Sequence, residues 1–228
     1  MRIGILSDSH LPSLARDFGD LGPEPASFFS GLDLILHSGD VTALSVIDWL
    51  EQFAPVMCAV GNNDPILDSR FDLVQQLDIM GWRIGMVHSL VPESRPVHEL
   101  QRHFPSPVDV MIAGHTHHEK LDHRDGALLL NSGSITYPRN KDLRLGTVGL
   151  LELAQDRLRA EIVVLGHTSG RPNPGEAMSM EIQRGVPAPG GPFTRHLHQI
   201  LRRPSAEGLL RMTTWGQLVQ EGGADGFR

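Results

Sequence analysis

Five short apolar runs in this chain end in the same way, at a polar loop built from Asp, Asn, His and Gly. Arg2–Ser7 leads into Asp8-Ser9-His10, and Asp33–His37 into Ser38-Gly39-Asp40. Pro55–Val60 leads into Gly61-Asn62-Asn63-Asp64, Trp82–Val87 closes on His88, and Asp109–Ala113 runs into Gly114-His115-Thr116-His117. Runs this short, bounded by turn residues, read as buried strands. Pro25–Gly31 suits a helix between the first two. A second helix, capped by Thr42, is predicted from Leu44, Ile47, Leu50 and Phe53 at helical spacing. Strands joined by helices imply a parallel sheet, whose ligands gather at the carboxyl ends of the strands. The polar loops then share one edge of the fold.

The second half of the pattern is richer in strands. Phe71–Ile79 and Trp82–His88 flank Met80-Gly81 as a hairpin, and Val97–Phe104 is predicted to be helical. Lys120–His123, Ala127–Leu130, Thr147–Leu153 and Leu158–Leu165 read as further strands. The expected class is α/β: two face-to-face β-sheets flanked by helices in a four-layer α/β/β/α sandwich.

Composition divides the chain near residue 165. Residues 1–165 hold 13 Lys+Arg against 22 Asp+Glu, whereas residues 166–228 hold 7 against 5, so the acidity lies wholly in the first part. Gly plus Pro is 17 of 63 in the second part against 23 of 165 in the first. Residues 1–165 are therefore expected to form the main domain and 166–228 an extension. Within the extension, Phe193, Leu197, Ile200 and Leu201 share one helical face, and Thr214-Trp215-Gly216-Gln217 resembles a capping box. Docking on the main domain is expected for these segments, with a homo-oligomer or partner contact as the alternative.

The net charge of −7 disfavours broad binding to nucleic acid or lipid surfaces, leaving nucleic acid only as a possible substrate. No apolar run reaches the roughly 20 residues of a membrane helix, and Asp8 interrupts the N-terminus too early for a signal peptide. Cys58 is the sole cysteine, which excludes an internal disulfide and points to a reducing cytoplasm.

Carboxylate, amide and imidazole donors without sulfur suit octahedral divalent ions, Mn²⁺ first, with Ni²⁺, Co²⁺, Fe²⁺ or Zn²⁺ as alternatives. A carboxylate shared by two ions about 3.5–4 Å apart would make a two-metal site for phosphoryl chemistry. Each element alone is weak, because Asp-x-His and Gly-Asp recur by chance. Five of them in order, each at a strand end, are specific.

Asp8-x-His10, Gly39-Asp40, Gly61-Asn62-Asn63-Asp64, His88 and Gly114-His115-Thr116-His117 resemble the signature of the calcineurin-like metallophosphoesterases. Asn131-Ser132-Gly133-Ser134 and Pro138-Arg139 add to the likeness, which covers roughly residues 1–165. Within that superfamily the chain is similar to the small single-domain prokaryotic phosphodiesterases, a branch to which the retromer's phosphoesterase-like subunit is related. The resemblance implies one metal ion held by Asp8, His10, Asp40 and His117. It implies a second held by Asp40, Asn62, His88 and His115, with Asp40 as the bridge. It further implies a bridging hydroxide attacking phosphorus in line, on a small phosphoester substrate.

Two positions depart from the pattern. Many members carry histidine where this chain has Asn63, and that histidine protonates the leaving oxygen. An amide does not do this, which favours a phosphodiesterase with good leaving groups over a phosphomonoesterase. His118, and secondarily His98, are the candidate substitute acids. Ser89-Leu90 also follows His88 where relatives usually have glycine. The rival reading from another class is a protein-interaction scaffold that keeps the fold and has lost the chemistry; retention of all seven ligand positions favours the enzyme.

Overall fold

The computed structural model describes residues 1–12, 15–64 and 68–184. Three parallel strands come first: β1 (Arg2–Leu6), β2 (Leu34–His37) and β3 (Val56–Ala59). Ile5 pairs with Leu36, and Leu36 with Met57, so the polar ends of these strands finish level with one another. The short β4 (Phe71–Asp72) extends the same sheet beside β3. This corrects the expected hairpin: only β5 (Gln75–Ile79) and β6 (Trp82–Met86) form it, in the second sheet. Met80 (φ 55°) and Gly81 (φ 83°) are both left-handed, the geometry of the tight turn that joins twisted antiparallel strands.

The second sheet continues through β7 (Val110–Ala113), β8 (Glu119–Arg124) and β9 (Ala127–Ser132), in the order β5-β6-β7-β9-β8. The chain then returns to the first sheet with β10 (Thr147–Leu153), β11 (Arg157–Val164) and β12 (Met178–Gln183), giving the order β12-β11-β10-β1-β2-β3-β4. The shift in composition near residue 165 is thus not where this sheet ends, because β12 pairs antiparallel with β11 from Arg157↔Gln183 to Ile162↔Met178. The predicted helical face at Phe193–Leu201 and the capping box at Thr214 lie outside the described residues.

Side-chain alternation explains why two sheets stack. On the first sheet, Leu6, Ile35, Val56 and Cys58 pack against α1 (Glu24–Phe29) and α2 (Leu44–Leu50) through Phe29, Val46, Ile47 and Leu50. The alternate residues Ile3, Ile5, Leu34 and Leu36 are equally buried and face the second sheet. Gly149 on β10 sits close to Leu130 of β9, where the sheets approach. On the far side of the second sheet, Met111, Ala113 and Leu129 are covered by Val97 and Leu100 of α3 (Val97–Leu100) and by Phe104. Each fully buried Leu, Ile or Phe contributes about 1.5–3 kcal/mol, so both strand faces and the helices are bound into one structure. Thr42 does not cap α2: its φ is 68° and its hydroxyl donates to the Leu11 carbonyl at 2.5 Å, while Ala43 stands at the cap. No helix among the described residues is long and apolar enough to cross a membrane.

Candidate metal centre

The loops after β1, β2, β3, β6 and β7 meet at one edge of the sandwich, and those after β1, β2 and β7 do so under strain. Asp8 (φ 53°), His10 (45°), Asp40 (58°), His115 (70°) and His117 (58°) all hold left-handed backbone conformations. That region is unfavourable for any residue with a Cβ, so the surrounding hydrogen bonds must over-determine it. They do. Asp8 N–H donates to the Gly39 carbonyl at 2.9 Å and His10 N–H to the Asp40 carbonyl at 3.1 Å, which ties the first loop to the second. The Ser134 hydroxyl donates to the Asp8 carbonyl at 2.7 Å, and the Thr136 hydroxyl to that of Ser9 at 2.6 Å. Asn131 Nδ2 holds the Gly114 carbonyl at 2.9 Å.

Two glycines make the approach possible. At Gly39 (φ 104°) a Cβ would stand 2.5 Å from His88 Nδ1. At Gly114 it would collide with Ser7 Oγ and lie 2.7 Å from Asp8 Oδ2. The carboxylate and the imidazole therefore press directly on backbone.

The predicted residues fall into two groups around Asp40. In the first, His10 Nε2 lies 3.4 Å from Asp40 Oδ2 and 3.8 Å from Asp8 Oδ1, and His117 Nε2 lies 3.5 Å from Asp8 Oδ1. The His10 and His117 Nε2 atoms are 3.3 Å apart. In the second, His88 Nε2 lies 3.6 Å from Asp40 Oδ1 and 3.0 Å from Asn62 Oδ1. His115 Nδ1 is 3.0 Å from the same Asn62 oxygen and 3.3 Å from His88 Nε2. Each oxygen of Asp40 thus faces a different group.

Backbone carbonyls settle the ring tautomers. His88 Nδ1 is 2.8 Å from the Ser38 carbonyl, and His117 Nδ1 is 2.9 Å from that of Tyr137. A carbonyl only accepts, so Nδ1 bears a proton in both rings, which leaves Nε2 as the ring atom aimed at the cluster. Both rings are thus oriented with Nε2 as the atom available to a cation.

Electrostatics point the same way. The buried Asp8 carboxyl is pushed up to about 7, chiefly by loss of hydration, and its Oδ1 has no hydrogen-bond partner. Burial also resists ionisation of Asp40. There the Asn63 backbone N–H and side-chain amide, with His88 and His10 nearby, prevail and hold the carboxyl below its usual range. Burial lowers His10 below the ordinary imidazole range despite Asp40. An orphaned carboxylate oxygen amid imidazole nitrogens is a poor hydrogen-bonding site but suits a divalent cation. Asp8, His10 and His117, and likewise Asp8, Asp40 and His88, place one donor atom each within 4.8 Å of one another.

Other predicted residues lie at the margin. Asn63 Nδ2 donates to Asp40 Oδ2 at 2.7 Å and its N–H to Oδ1 at 2.9 Å, so this side chain braces Asp40. His118 is exposed, with its N–H on the Thr116 hydroxyl, and is not among the residues lining the cavity beside His10. His98 is exposed on α3. The Arg139 guanidinium is 2.6 Å from buried Glu119 and 2.9 Å from Glu176. Leu90, which follows His88, is wholly buried beneath α3.

Sequence reasoning assigned no role to Asp64. Its Oδ2 accepts the N–H groups of Asp40 and Gly61, and its Oδ1 that of Thr42, each at 2.8 Å. Its place in the Gly61–Asp64 loop was the available signal. His37 is fully buried, accepts the Gly39 N–H on Nδ1 at 3.2 Å, and sets Nε2 3.1 Å from Ser9 Oγ.

The profile of the calcineurin-like phosphoesterase superfamily domain matches residues 1–156. A probable metallophosphoesterase of Methanothermobacter thermautotrophicus is 33% identical over 168 residues, spanning 73% of this chain and 94% of the relative. A phosphodiesterase of Methanocaldococcus jannaschii is 26% identical over 178 residues, 72% of this chain and 99% of that one. In architecture the chain is similar to Vacuolar Protein Sorting 29 of Cryptosporidium parvum, with a TM-score of 0.65 and 18% identity over 80% of this chain and 98% of the other. With the fold, the loop geometry and these relatives in agreement, the chain belongs to the calcineurin-like phosphoesterase superfamily.

Proposed function

We propose that this metallophosphoesterase is a dinuclear phosphodiesterase. The observation that carries the reading is the position of Asp40, whose Oδ2 lies 3.4 Å from His10 Nε2 and whose Oδ1 lies 3.6 Å from His88 Nε2. One carboxylate spanning two imidazole groups is the arrangement a bridging ligand needs. Asp8, His10, Asp40 and His117 would hold one ion, and Asp40, Asn62, His88 and His115 the other. Ions bound there would acidify a shared water and neutralise charge on the phosphoryl oxygens. The donor set favours Mn²⁺, ahead of Ni²⁺, Co²⁺, Fe²⁺ or Zn²⁺.

The chain's own residues do the rest. Asn63, bonded to both oxygens of Asp40, keeps that carboxylate ionised and oriented. An amide in that position supplies no proton to the departing oxygen, so general-acid help of about 10²–10⁴-fold is absent there. Substrates whose leaving oxygen is already a weak base, such as aryl diesters, are favoured over alkyl monoesters. The exposed His118 is the nearest titratable side chain in sequence to the ligand loop and the candidate substitute acid. The single, buried Cys58 supports a reducing, cytoplasmic setting.

The test is an assay of metal-stripped protein with each of Mn²⁺, Ni²⁺, Co²⁺, Mg²⁺ and Zn²⁺ against an aryl phosphodiester and its monoester. Mn²⁺ is expected to restore diester cleavage, and Asp40→Ala to abolish it. Faster monoester turnover overturns the diester assignment. No activity with any metal leaves the scaffold reading in its place.

A further inference from the structure

We propose that the cavity beside His10 and His117 is a subsite for an aromatic substrate limb that carries a second negative charge, and that Lys141 reads that charge. The inference rests on the metallophosphodiesterase reading above and names a substrate class for it.

The cavity is a wide, open depression of about 400 Å³, lined by His10, His117, Tyr137, Asn140 and Lys141. That size suits a small organic group rather than a single water. Two of its walls are imidazoles of the first ligand group, so whatever fills it is contiguous with a phosphoryl group seated at the centre. The Tyr137 ring stands edge-on to His10, with centroids 6.0 Å apart, so three of the five lining residues, His10, His117 and Tyr137, are aromatic. An aryl or heteroaryl limb packs there better than an alkyl one.

The rim is rigid. Arg139 N–H donates to the His117 carbonyl at 2.8 Å, Asn140 N–H to that of Tyr137 at 3.1 Å, and Lys141 N–H to that of Pro138 at 3.1 Å. Asn140 Nδ2 adds a bond to the Thr116 carbonyl at 3.3 Å. Arg139 (φ 52°) and Asn140 (φ 55°) are both left-handed, a costly turn held by these bonds and by the clamp of Glu119 and Glu176 on the Arg139 guanidinium. The turn therefore spends its arginine on structure and brings Lys141 to the cavity.

Lys141 is exposed and, among the described residues, has no ion-pair partner. In a chain with a net charge of −7, an uncommitted cation at the mouth of the candidate active site selects for charge. The group it fits is a phosphate or carboxylate on the limb, distinct from the phosphorus under attack.

The experiment measures equilibrium binding, not turnover. Mn²⁺ binding to the whole 228-residue chain is measured first. Calorimetry at low salt then compares phenylphosphonate with 4-carboxyphenylphosphonate, which differ only in a distal charge. The wild-type protein is expected to bind the carboxylated probe about 3–5-fold more tightly, as an exposed ion pair allows. Lys141→Gln should erase the preference, Lys141→Arg keep it and Lys141→Glu reverse it. If Mn²⁺ binds but the two phosphonates bind equally or not at all, or if Lys141→Gln keeps the preference, the subsite is wrong and the metal centre stands. If Mn²⁺ itself does not bind, the metal reading falls, and the subsite with it.

Discussion

Asp64 Oδ2 accepts the Asp40 backbone N–H at 2.8 Å, so a side chain of the loop after β3 sets the backbone of the loop after β2. The same carboxylate holds Thr42 N–H and Gly61 N–H, and thereby keeps Asp40 in its left-handed conformation facing both ligand groups. Asp64 touches none of the imidazoles through these bonds. It acts by placing Asp40.

Asp64→Asn is therefore expected to do more harm than its isosteric shape suggests. One oxygen becomes an NH₂ that confronts a backbone N–H, and each hydrogen bond to a charged acceptor contributes about 1.5–3 kcal/mol. The expected result is a lower melting temperature and a 10–100-fold weaker Mn²⁺ affinity, the range for losing a residue that orients a ligand. Paired thermal melts and Mn²⁺ titrations check this. An unchanged Mn²⁺ affinity refutes the positioning role.

Gly114→Ala tests the close approach of the β7 loop to Asp8. The new methyl would occupy the place of Ser7 Oγ and crowd Asp8 Oδ2, both fully buried. Overpacking of this kind costs about 1–3 kcal/mol. Urea unfolding of the metal-free protein should show that loss, and metal affinity should fall because Asp8 and His115 separate. Gly126→Ala, with nothing within 4 Å of its Cβ position but a left-handed φ of 77°, is the comparison that isolates backbone strain from crowding.

His37 supplies a pH dependence with a definite sign. Burial drives its imidazole down to about 3, and Nδ1 is already an acceptor for the Gly39 N–H. The folded state thus keeps His37 neutral, whereas the unfolded chain takes up a proton below its ordinary value of 6.5. The unfolded state binds more protons, so this contribution to stability is present above pH 6.5 and is lost as pH falls toward 3, at up to about 1.4 kcal/mol per pH unit. In metal-free protein Asp8 acts oppositely, since its raised value makes the folded state the better proton binder between 3.8 and about 7. Subtraction isolates His37: relative to wild type, His37→Asn should flatten the fall in urea-derived stability between pH 6.5 and 5. Equal slopes for the two proteins overturn the assignment.

Much of this architecture is legible in local pattern. Arg2–Leu6, Leu34–His37 and Val56–Ala59 are too short and too apolar for anything but buried strands, and α1 and α2 between them make the sheet parallel. Once strands are parallel and level, Asp8, Asp40 and Asn62 share an edge of necessity. Phe71–Asp72 was not legible, because β propensity cannot say which of two sheets a strand joins. Nor was β12, whose alternation of half-buried and exposed residues is that of an edge strand in a segment whose composition resembles a linker.

What the sequence determined by itself was an inventory: donor types without sulfur, their order, and their position at strand ends, all consequences of side-chain chemistry and the two-residue period of a strand. Only the tertiary structure decided how those donors are aimed. The protonated Nδ1 of His88 and His117, the brace of Asn63 on Asp40 and the capture of Arg139 by Glu119 all depend on hydrogen bonds between distant segments. Hydrogen bonds are directional and short-ranged, so their partners are chosen by loops that meet in space, which no window along the chain contains.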